Sequence, residues 1–394
     1  MKILVVDDQQ LVLLSLEKCL KDLGYEVTCA DNAVTAIKKF RQINPDLVIA
    51  DINMPVDNLE KTSHEFTFTE KAQGLDLLKY LRETKKVQTP ILILSGNQDE
   101  EIIERGFELG ANDYMKKPLS LKEIEIRVKR LIGPAKAAVK TETTKGQMIQ
   151  NTCVGIVIPC YNEEERLLSE EFKSFVHKNL GYHLCFVNDG SKDNTLEVLK
   201  KLQEGNESHI SVYNCEKNGG KAEAVRLGML HLASQKQFDY IGFLDADLST
   251  DFEDFQDLVN TIKNNENYKV VSGSRMARMG ANITKDGARK IISKAVNLYI
   301  RKTLGMAFND TQCGAKVMTK DVVLETFDKK FITRWLFDVE IFMRMKKLYG
   351  DKEAQKMLCE KPLNRWVHAD GSKLSFKDSF KIIGQIGQIG LHYR

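Results

Sequence analysis

The chain has 394 residues, which is long for a single hydrophobic core and predicts two domains. With 42% hydrophobic and 29% charged residues it is typical of a soluble globular protein, and a formal net charge of +3 gives no reason to expect nucleic acid as the main partner. No apolar run approaches the ~18 residues that a membrane-spanning helix requires, and the apolar stretch after Lys2 ends at Asp7, too early for a signal peptide. The eight cysteines show no CxxC or zinc-type spacing, which favours buried thiols in a reducing cytosol.

Short Val/Ile/Leu-rich strands alternate with helical segments from residue 1 to about residue 132. The five strand candidates are KILVVDD, YEVTCA, DLVIAD, ILILSG and DYMKK, and a helical period follows each. This strict alternation predicts a five-stranded parallel sheet covered by helices on both faces. Polar residues collect at the strand ends, namely Asp7, Asp8, Asp51, Ser95 and Lys117. Carboxylates crowded at one sheet edge repel one another unless a cation lies between them, so a magnesium-type site is predicted here.

This set of strand-end residues closely resembles the receiver domain of two-component response regulators, and the resemblance covers the whole first domain. It implies a flavodoxin-like fold in which Asp51 accepts a phosphoryl group from a phosphohistidine or a small phosphodonor. It also implies that Asp7, Asp8 and the main-chain carbonyl of Asn53 hold the Mg²⁺ that screens the incoming charge. The implied partner is a sensor histidine kinase or a phosphotransfer protein.

The same resemblance assigns the residues that respond to the phosphate. Lys117 would pair with the phosphoryl oxygens, and the Lys117–Pro118 bond is a candidate for the cis form. Ser95 would bond the acquired phosphate and Tyr114 would turn inward, changing a face that a neighbouring domain or a second receiver can read. A homodimer through the receiver is therefore one implied partner.

Three segments organise the chain as a whole: a receiver domain at 1–132, a linker at 133–151 and a second domain at 152–394. The linker is predicted because its residues are small, polar and charged, without apolar period. An insertion at 56–73 lies next to the phosphorylation site. Its role is left open between a lid or partner contact and a tolerated insertion.

The strand and helix pattern resumes after Cys153, with four strands that each end in a polar or glycine-rich junction. The junctions read PCYNE, NDGSKDNT, NGGKAEAVR and DADLS. Such junctions offer a nucleotide hydrogen-bond donors and close backbone approach. Asp245 and Asp247 in the last junction form a second acidic pair, which predicts a second Mg²⁺ or Mn²⁺ site.

These four junctions, in this order, resemble the nucleotide-binding half of GT-A family 2 glycosyltransferases. The resemblance implies that Pro159, Tyr161 and Glu163 line the nucleoside pocket. Asp189 would accept the uracil or guanine N–H, and Lys221 would lie along the pyrophosphate of the nucleotide sugar.

The glycines and the acidic pair complete the donor site in this comparison. Asp245 and Asp247 would coordinate the cation that bridges the diphosphate and offsets charge on the leaving group. Gly219 and Gly220 would give backbone clearance, although the family more often has glycine after the lysine, where Ala222 stands.

The C-terminal half resembles polyprenyl-phosphate glycosyltransferases, among them the dolichyl-phosphate β-glucosyltransferases. The segments that carry this resemblance begin at GSRMARMG, NDTQCGAKVM, RWLFDVE and RWVHADGSKL. It implies that Arg275, Arg289 and Ser293 bind the acceptor phosphate, and the four-residue interval puts the last two on one helix face. Lys373 would lie on a loop that closes over the diphosphate.

Four more polar residues belong to this half. Asp310 and Gln312 would face the sugar and the nucleophile. For Asp338 and Glu340, packing under the site and direct contact are both left open.

The expected reaction needs little acid–base chemistry. A lipid monophosphate is mostly ionised near pH 7 and attacks the anomeric carbon without a strong base, giving a single displacement with inversion. A sugar hydroxyl as acceptor would need a carboxylate base, for which Asp310 is the first candidate.

Two rival functions and one ambiguous segment remain. The rivals are a glycosyltransferase with a saccharide or protein acceptor, and a receiver-controlled binding or scaffold protein whose transferase half is degenerate. The last segment places Phe376, Phe380, Ile383 and Ile386 on one helical stripe, which fits a membrane-surface helix and a docked core helix equally. The expected location is the cytoplasm, or the inner face of the membrane as a peripheral protein.

Overall fold

The computed structural model divides into two compact units. Unit 1 comprises Met1–Cys153 and Val176–Tyr182, and unit 2 comprises Val154–Phe175 and His183–Arg394. The structure describes residues 1–54, 73–96, 100–135, 148–235, 237–276, 282–283, 298–306, 308–366 and 376–393. Nearly all of the predicted insertion at 56–73 and most of the predicted linker therefore lie outside the described residues.

Unit 1 contains the predicted five-stranded parallel sheet. Its strands are β1 (Lys2–Val6), β2 (Glu26–Ala30), β3 (Leu47–Asp51), β4 (Ile91–Ser95) and β5 (Asp113–Lys116), in the order β2-β1-β3-β4-β5. Its helices are α1 (Gln10–Asp22), α2 (Ala33–Ile43), α3 (Gln73–Lys79), α4 (Glu100–Glu108) and α5 (Leu121–Ile132), and α3 continues as a π-helical turn over Tyr80–Thr84. The prediction of a flavodoxin-like receiver fold is confirmed.

The sequence of β1 explains why both faces of this sheet are covered. Leu4 and Val6 belong to one apolar cluster, whereas Ile3 and Val5 belong to the other. Successive side chains of a strand point to opposite faces, so a continuous Val/Ile/Leu run fills two cores at once.

Unit 1 also includes chain from beyond the predicted receiver. The short strand β6 (Leu119–Ser120) pairs antiparallel with the start of β7 (Met148–Cys160), with Leu119 opposite Ile149. Leu180 is buried in the same apolar cluster as Ile3 and Val5.

Unit 2 is a mixed α/β domain, as the resemblance to GT-A enzymes implied. Its sheet has the order β14-β11-β13-β10-β7-β8-β9. After β7 the strands are β8 (Asn179–Asn188), β9 (Ile210–Asn214), β10 (Tyr240–Leu244), β11 (Val270–Ser274), β13 (Ala315–Thr319) and β14 (Leu358–Pro362), while β12 (Asn282–Ile283) and β15 (Arg365–Trp366) form a separate pair. Strand β13 runs antiparallel to both of its neighbours, β10 and β11, whereas β10 and β7 are parallel.

Helices cover this sheet and end the chain. They are α6 (Ser169–Lys178), α7 (Thr195–Gln203), α8 (Lys221–Ala233), α9 (Phe252–Lys263), α10 (298–304), α11 (Lys320–Thr326), α12 (Phe337–Tyr349), α13 (Asp351–Met357) and α14 (Phe376–His392). Helix α8 lies close to the sheet at Gly228, where a Cβ would lie 2.6 Å from Val157 of β7 and 2.7 Å from Val187 of β8.

Helix α14 is docked at its C-terminal end. Ile386 and Ile389 are fully buried, and the hydroxyl of Tyr393 accepts a hydrogen bond from Arg344 Nε at 2.9 Å. These contacts favour the docked-helix alternative for this end, while the side chains of Phe376, Phe380 and Ile383 lie outside the described residues. Within the described part of the chain, no helix has the length and apolar character that a membrane span requires.

Gly242 in the middle of β10 gives the first testable prediction. A Cβ there would overlap the main-chain oxygen of Lys316 on β13 and lie 2.9 Å from Phe255. We therefore expect Gly242→Ala to lower the free energy of unfolding of unit 2 by about 1–3 kcal/mol, since backbone and core must shift. Both tryptophans of the chain, Trp335 and Trp366, lie in unit 2, so tryptophan fluorescence during urea unfolding reports on that unit.

Gly384→Ala is the matched control. Nothing lies within 4 Å of a Cβ at this helical position, so alanine should be neutral or stabilise by up to about 1 kcal/mol. Equal shifts of the urea midpoint in both variants would contradict the steric argument.

Candidate functional site

The acidic residues of unit 1 lie together at the carboxyl ends of its parallel strands. Carboxylate oxygens of Asp7, Asp8 and Asp51 lie within 4.8 Å of one another. The Lys117 ammonium lies 2.7 Å from Asp7 and 3.1 Å from Asp51. Three carboxylates at this spacing are the oxygen donors that Mg²⁺ prefers, so the residues present fit a receiver Mg²⁺ site.

The charge balance of this cluster is unfavourable without a further cation. Burial raises the pKa of Asp7 to about 7; Lys117 opposes this shift, and the neighbouring Asp51 adds to it. For Lys117, burial alone would lower the pKa, but Asp7 and Asp51 hold it above its ordinary value. One ammonium thus neutralises only part of three crowded carboxylates.

Of the other predicted receiver residues, Ser95 lies at this sheet edge, whereas Tyr114 lies further back on β5, opposite Ile93. Ser95 is fully buried at the end of β4, and its hydroxyl accepts a hydrogen bond from the Asn53 amide at 3.4 Å. Tyr114 is half-buried on β5. The Lys117–Pro118 bond is cis, which confirms that prediction.

In unit 2, Asp189 anchors the glycine-rich loop before α8. Its two carboxylate oxygens accept hydrogen bonds from the main-chain N–H groups of Gly219 at 2.7 Å and Gly220 at 2.9 Å. Burial raises the pKa of Asp189, while these two N–H groups and Arg334 oppose the shift. Gly220 has a φ of +87°, and a Cβ there would lie 3.3 Å from Arg334 Cδ, so glycine is required for this turn. Arg334 was missed by sequence reasoning.

The predicted nucleoside-pocket residues lie at the end of β7 and in the loop that follows it. Pro159, Tyr161 and Glu163 are all half-buried. The main-chain N–H of Glu163 donates to the Thr195 hydroxyl at 2.8 Å, and its carboxylate lies 2.6 Å from Arg166.

The second acidic pair follows β10, as predicted. Asp245 and Asp247 are half-buried, and the Ser249 N–H donates to Asp247 at 2.9 Å. The ammonium of Lys221, the first residue of α8, lies 2.5 Å from Asp245 Oδ1. Asp245 thus forms an ion pair with a lysine. The two aspartates also offer the oxygen ligands that Mg²⁺ or Mn²⁺ prefers, so the residues fit such an ion.

Gly314, another residue that sequence reasoning missed, makes room for Asp245. A Cβ at Gly314 would overlap the carboxylate of Asp245. The signal in the sequence was the glycine that ends the DTQCG motif, but its proximity to Asp245 depends on the pairing of β10 with β13.

A buried ion pair lies beside this site. The Lys316 ammonium is fully buried, 2.6 Å from Asp338, and donates to the main-chain oxygen of Cys313 at 2.7 Å. Burial raises the pKa of Asp338, while Lys316 and Lys221 oppose the shift. Asp338 therefore lies within electrostatic reach of the second acidic pair.

Glu340 has a different role from its neighbour. It is fully buried and accepts hydrogen bonds from the main-chain N–H groups of Ile332 at 2.8 Å and Thr333 at 2.9 Å. These bonds hold the loop before α12, so packing accounts for Glu340.

Arg275 and Asp310 form a bidentate ion pair. Arg275 Nε donates to Asp310 Oδ2 at 2.7 Å and Nη2 donates to Oδ1 at 2.8 Å. Burial would raise the pKa of Asp310, but Arg275 outweighs that effect and lowers it to about 2. Gln312 donates its main-chain N–H to the same carboxylate at 3.3 Å. A carboxylate held in this way is a poor proton acceptor at neutral pH.

Two residues missed in the sequence support this pair. Glu360 on β14 accepts hydrogen bonds from the Asp310 N–H at 2.7 Å and from the Ser274 hydroxyl at 2.8 Å. The Trp366 ring centroid lies 5.4 Å from the Arg275 guanidinium, within the range of a cation–π contact. The predicted residues Arg289, Ser293 and Lys373 lie outside the described residues.

The fit of Gly314 against Asp245 gives a second prediction. Gly314→Ala should displace the Asp245 carboxylate and weaken divalent-cation binding to unit 2 by about tenfold, a loss equivalent to about 1.4 kcal/mol. Calorimetric titration with Mn²⁺ in the presence of a nucleoside diphosphate measures this, with Gly384→Ala as the unobstructed control. Wild-type Mn²⁺ affinity in Gly314→Ala would show that Asp245 does not need this space.

Comparison with known proteins identifies both halves. The family model of the response regulator receiver domain matches residues 3–129, and that of glycosyl transferase family 2 matches residues 155–326. A dolichyl-phosphate beta-glucosyltransferase of Dictyostelium discoideum is 29% identical over 260 residues, covering 62% of this chain and 76% of that protein. One from Trichomonas vaginalis is 30% identical over 253 residues, covering 61% of this chain and 74% of that protein.

Among solved structures, glucosyl-3-phosphoglycerate synthase from Mycobacterium tuberculosis in complex with Mn²⁺, uridine diphosphate and glucosyl-3-phosphoglycerate is 16% identical. It covers 62% of this chain and 80% of its own, with a TM-score of 0.45. The receiver domain implies a phosphodonor kinase as partner, and the transferase domain implies a nucleotide-sugar donor. The chain belongs to glycosyl transferase family 2 and carries a response regulator receiver domain on the N-terminal side of its transferase domain.

Proposed function

We propose that this protein is a phosphorylation-regulated hexosyltransferase that moves a hexose from a nucleotide sugar to a polyprenyl phosphate with inversion. The donor is of the UDP-glucose or GDP-mannose type. The observation that carries the choice of acceptor is the bidentate pairing of Asp310 with Arg275, which lowers the pKa of Asp310 to about 2. A hydroxyl acceptor needs a carboxylate base, whereas a lipid phosphate is its own ionised nucleophile.

Similarity to dolichyl-phosphate beta-glucosyltransferases, at about 30% identity, supports the same acceptor class. A polyprenyl phosphate is a membrane lipid, so the enzyme acts in the cytoplasm as a peripheral protein at the inner face of the membrane. A saccharide or protein acceptor and a degenerate scaffold remain the rival functions.

The donor is held by the loops after the central strands. Pro159, Tyr161 and Glu163 line the nucleoside pocket, and Asp189 accepts the base N–H while it anchors the glycine loop. Lys221 lies along the diphosphate. Asp245 and Asp247 would hold a divalent cation, which would supply positive charge opposite the leaving nucleoside diphosphate.

The acceptor phosphate is held by arginine. Arg275 keeps one guanidinium nitrogen, Nη1, directed away from its two bonds to Asp310, and this nitrogen contacts the phosphate together with Arg289 and Ser293. The Asp310 pair fixes the orientation of that guanidinium, and Lys373 closes over the diphosphate. The protein thereby aligns two anions that would otherwise repel each other.

The acceptor assignment is tested by direct transfer assays. Purified protein with Mg²⁺ or Mn²⁺ should transfer hexose from UDP-glucose or GDP-mannose to a polyprenyl phosphate, and Asp247→Ala should reduce that rate by at least about a hundredfold, as loss of a metal ligand does. Radiolabelled product in an organic extract is the readout. Transfer only to an oligosaccharide or peptide would overturn the acceptor class, and no turnover of any donor would favour the scaffold.

Regulation by the receiver is tested separately. Acetyl phosphate with Mg²⁺ should add one phosphoryl group to the wild type and none to Asp51→Asn, because the receiver resemblance makes Asp51 the phosphoacceptor and its carboxylate lies in the acidic cluster, 3.1 Å from the Lys117 ammonium. Intact-protein mass under mild conditions and the transferase rate are followed together. A wild type that gains no phosphate would contradict phosphorylation at Asp51, and one that gains it without a change in rate would contradict regulation.

A further inference from the structure

Lys221, which is expected to contact a diphosphate, is paired with an aspartate of the second acidic pair. Its ammonium lies 2.5 Å from Asp245 Oδ1, on one of the two carboxylates that would hold the divalent cation. The backbone before it is fixed, because Gly219 and Gly220 donate their N–H groups to the buried Asp189. The backbone of Lys221, at the start of α8, is therefore held in place with its ammonium next to Asp245.

Three carboxylates act on this ammonium. Asp245 is 2.5 Å away, and Asp338 and Asp247 also lie within electrostatic reach of it. Lys316 neutralises Asp338 from the other side. The three carboxylates thus face two ammoniums, and only one negative charge remains for an incoming ion.

A divalent cation that entered alone would meet two obstacles. It would have to displace Lys221 from Asp245, and it would leave the site with an excess of positive charge in a partly buried place. A nucleoside diphosphate removes both obstacles, because its phosphate oxygens give the displaced ammonium a new partner and add negative charge.

We propose that Lys221 competes with the divalent cation for Asp245 until the nucleoside diphosphate binds. The cation and the nucleoside diphosphate therefore bind cooperatively, and neither binds well alone. This rests on the donor and metal roles proposed above, but not on the identity of the acceptor. Because binding linkage is reciprocal, the nucleotide tightens cation binding by the same factor as the cation tightens nucleotide binding. The consequence for the enzyme is that the cation site is filled together with donor.

The test measures Mn²⁺ binding rather than catalysis. Full-length protein carrying Asp8→Ala and Asp51→Asn loses two of the three receiver carboxylates, so the remaining Mn²⁺ binding reports on unit 2. Free Mn²⁺ is followed by electron paramagnetic resonance, with and without UDP or GDP. In this background we expect the effective diphosphate to tighten Mn²⁺ binding by about tenfold or more, and Asp245→Ala to abolish the effect.

Lys221→Met is the decisive variant. It removes the competing ammonium, so Mn²⁺ alone should bind about fivefold to tenfold tighter than in the parent, and the gain from the diphosphate should shrink correspondingly. Lys217→Met removes an exposed charge from the same loop and should behave as the parent does. The urea midpoint of tryptophan fluorescence verifies that each variant is folded.

Two results would overturn the proposal. One is a parent protein in which neither diphosphate changes Mn²⁺ affinity, a measurement that needs no Lys221 variant. The other is a folded Lys221→Met protein whose affinity for Mn²⁺ alone is unchanged or weaker, which would make Lys221 a structural or purely diphosphate-binding residue. Neither readout involves polyprenyl phosphate, so failure of the acceptor assignment leaves the result intact.

Discussion

Repulsion between carboxylates at the ends of strands is the constraint on which both units depend. In unit 1 three carboxylates meet at one sheet edge, and in unit 2 two follow a single strand. In each unit a lysine ammonium forms an ion pair with one of these carboxylates. Lys117 lies 2.7 Å from Asp7, and Lys221 lies 2.5 Å from Asp245. Each lysine offsets only part of the negative charge of the carboxylates around it. The remaining negative charge favours a divalent cation at each site.

A second group of carboxylates in unit 2 holds neighbouring backbone in place. Each accepts main-chain N–H groups from a loop or, in the case of Arg365, from the first residue of the short strand β15. The carboxylates and the residues whose N–H groups they bind are Asp189 with Gly219 and Gly220, Glu340 with Ile332 and Thr333, Glu360 with Asn309 and Asp310, and Asp254 with Asn364 and Arg365. Charge-assisted bonds of this kind are stronger than neutral ones, so these loops are held without a regular hydrogen-bond ladder.

This division of labour explains which features the sequence could predict. Strand alternation and strand-end position located Asp7, Asp51, Asp245 and Asp247, because both signals are local. Whether a carboxylate binds a metal or anchors a loop depends on the backbone that approaches it, and that backbone is distant in sequence: Asn309 and Asp310 are some fifty residues from Glu360. Similarly, the role of Gly314 depends on the insertion of β13 between β10 and β11. A single sequence contains no direct record of such approaches.

Asp310 shows how the structure refines a role that residue type alone suggests. An aspartate in this region invites assignment as a general base, but Arg275 lowers its pKa to about 2, below the ordinary value of 3.8. A lowered carboxylate pKa stabilises the folded state at pH values above the ordinary pKa of the group. This stabilisation is lost only as the pH falls from the ordinary pKa towards 2. The Arg275–Asp310 pair therefore persists near neutral pH, and its constancy there suits a group that orients an arginine. Any pH dependence of transfer near neutrality must then come from groups that titrate there, of which the second ionisation of a phosphate monoester is one.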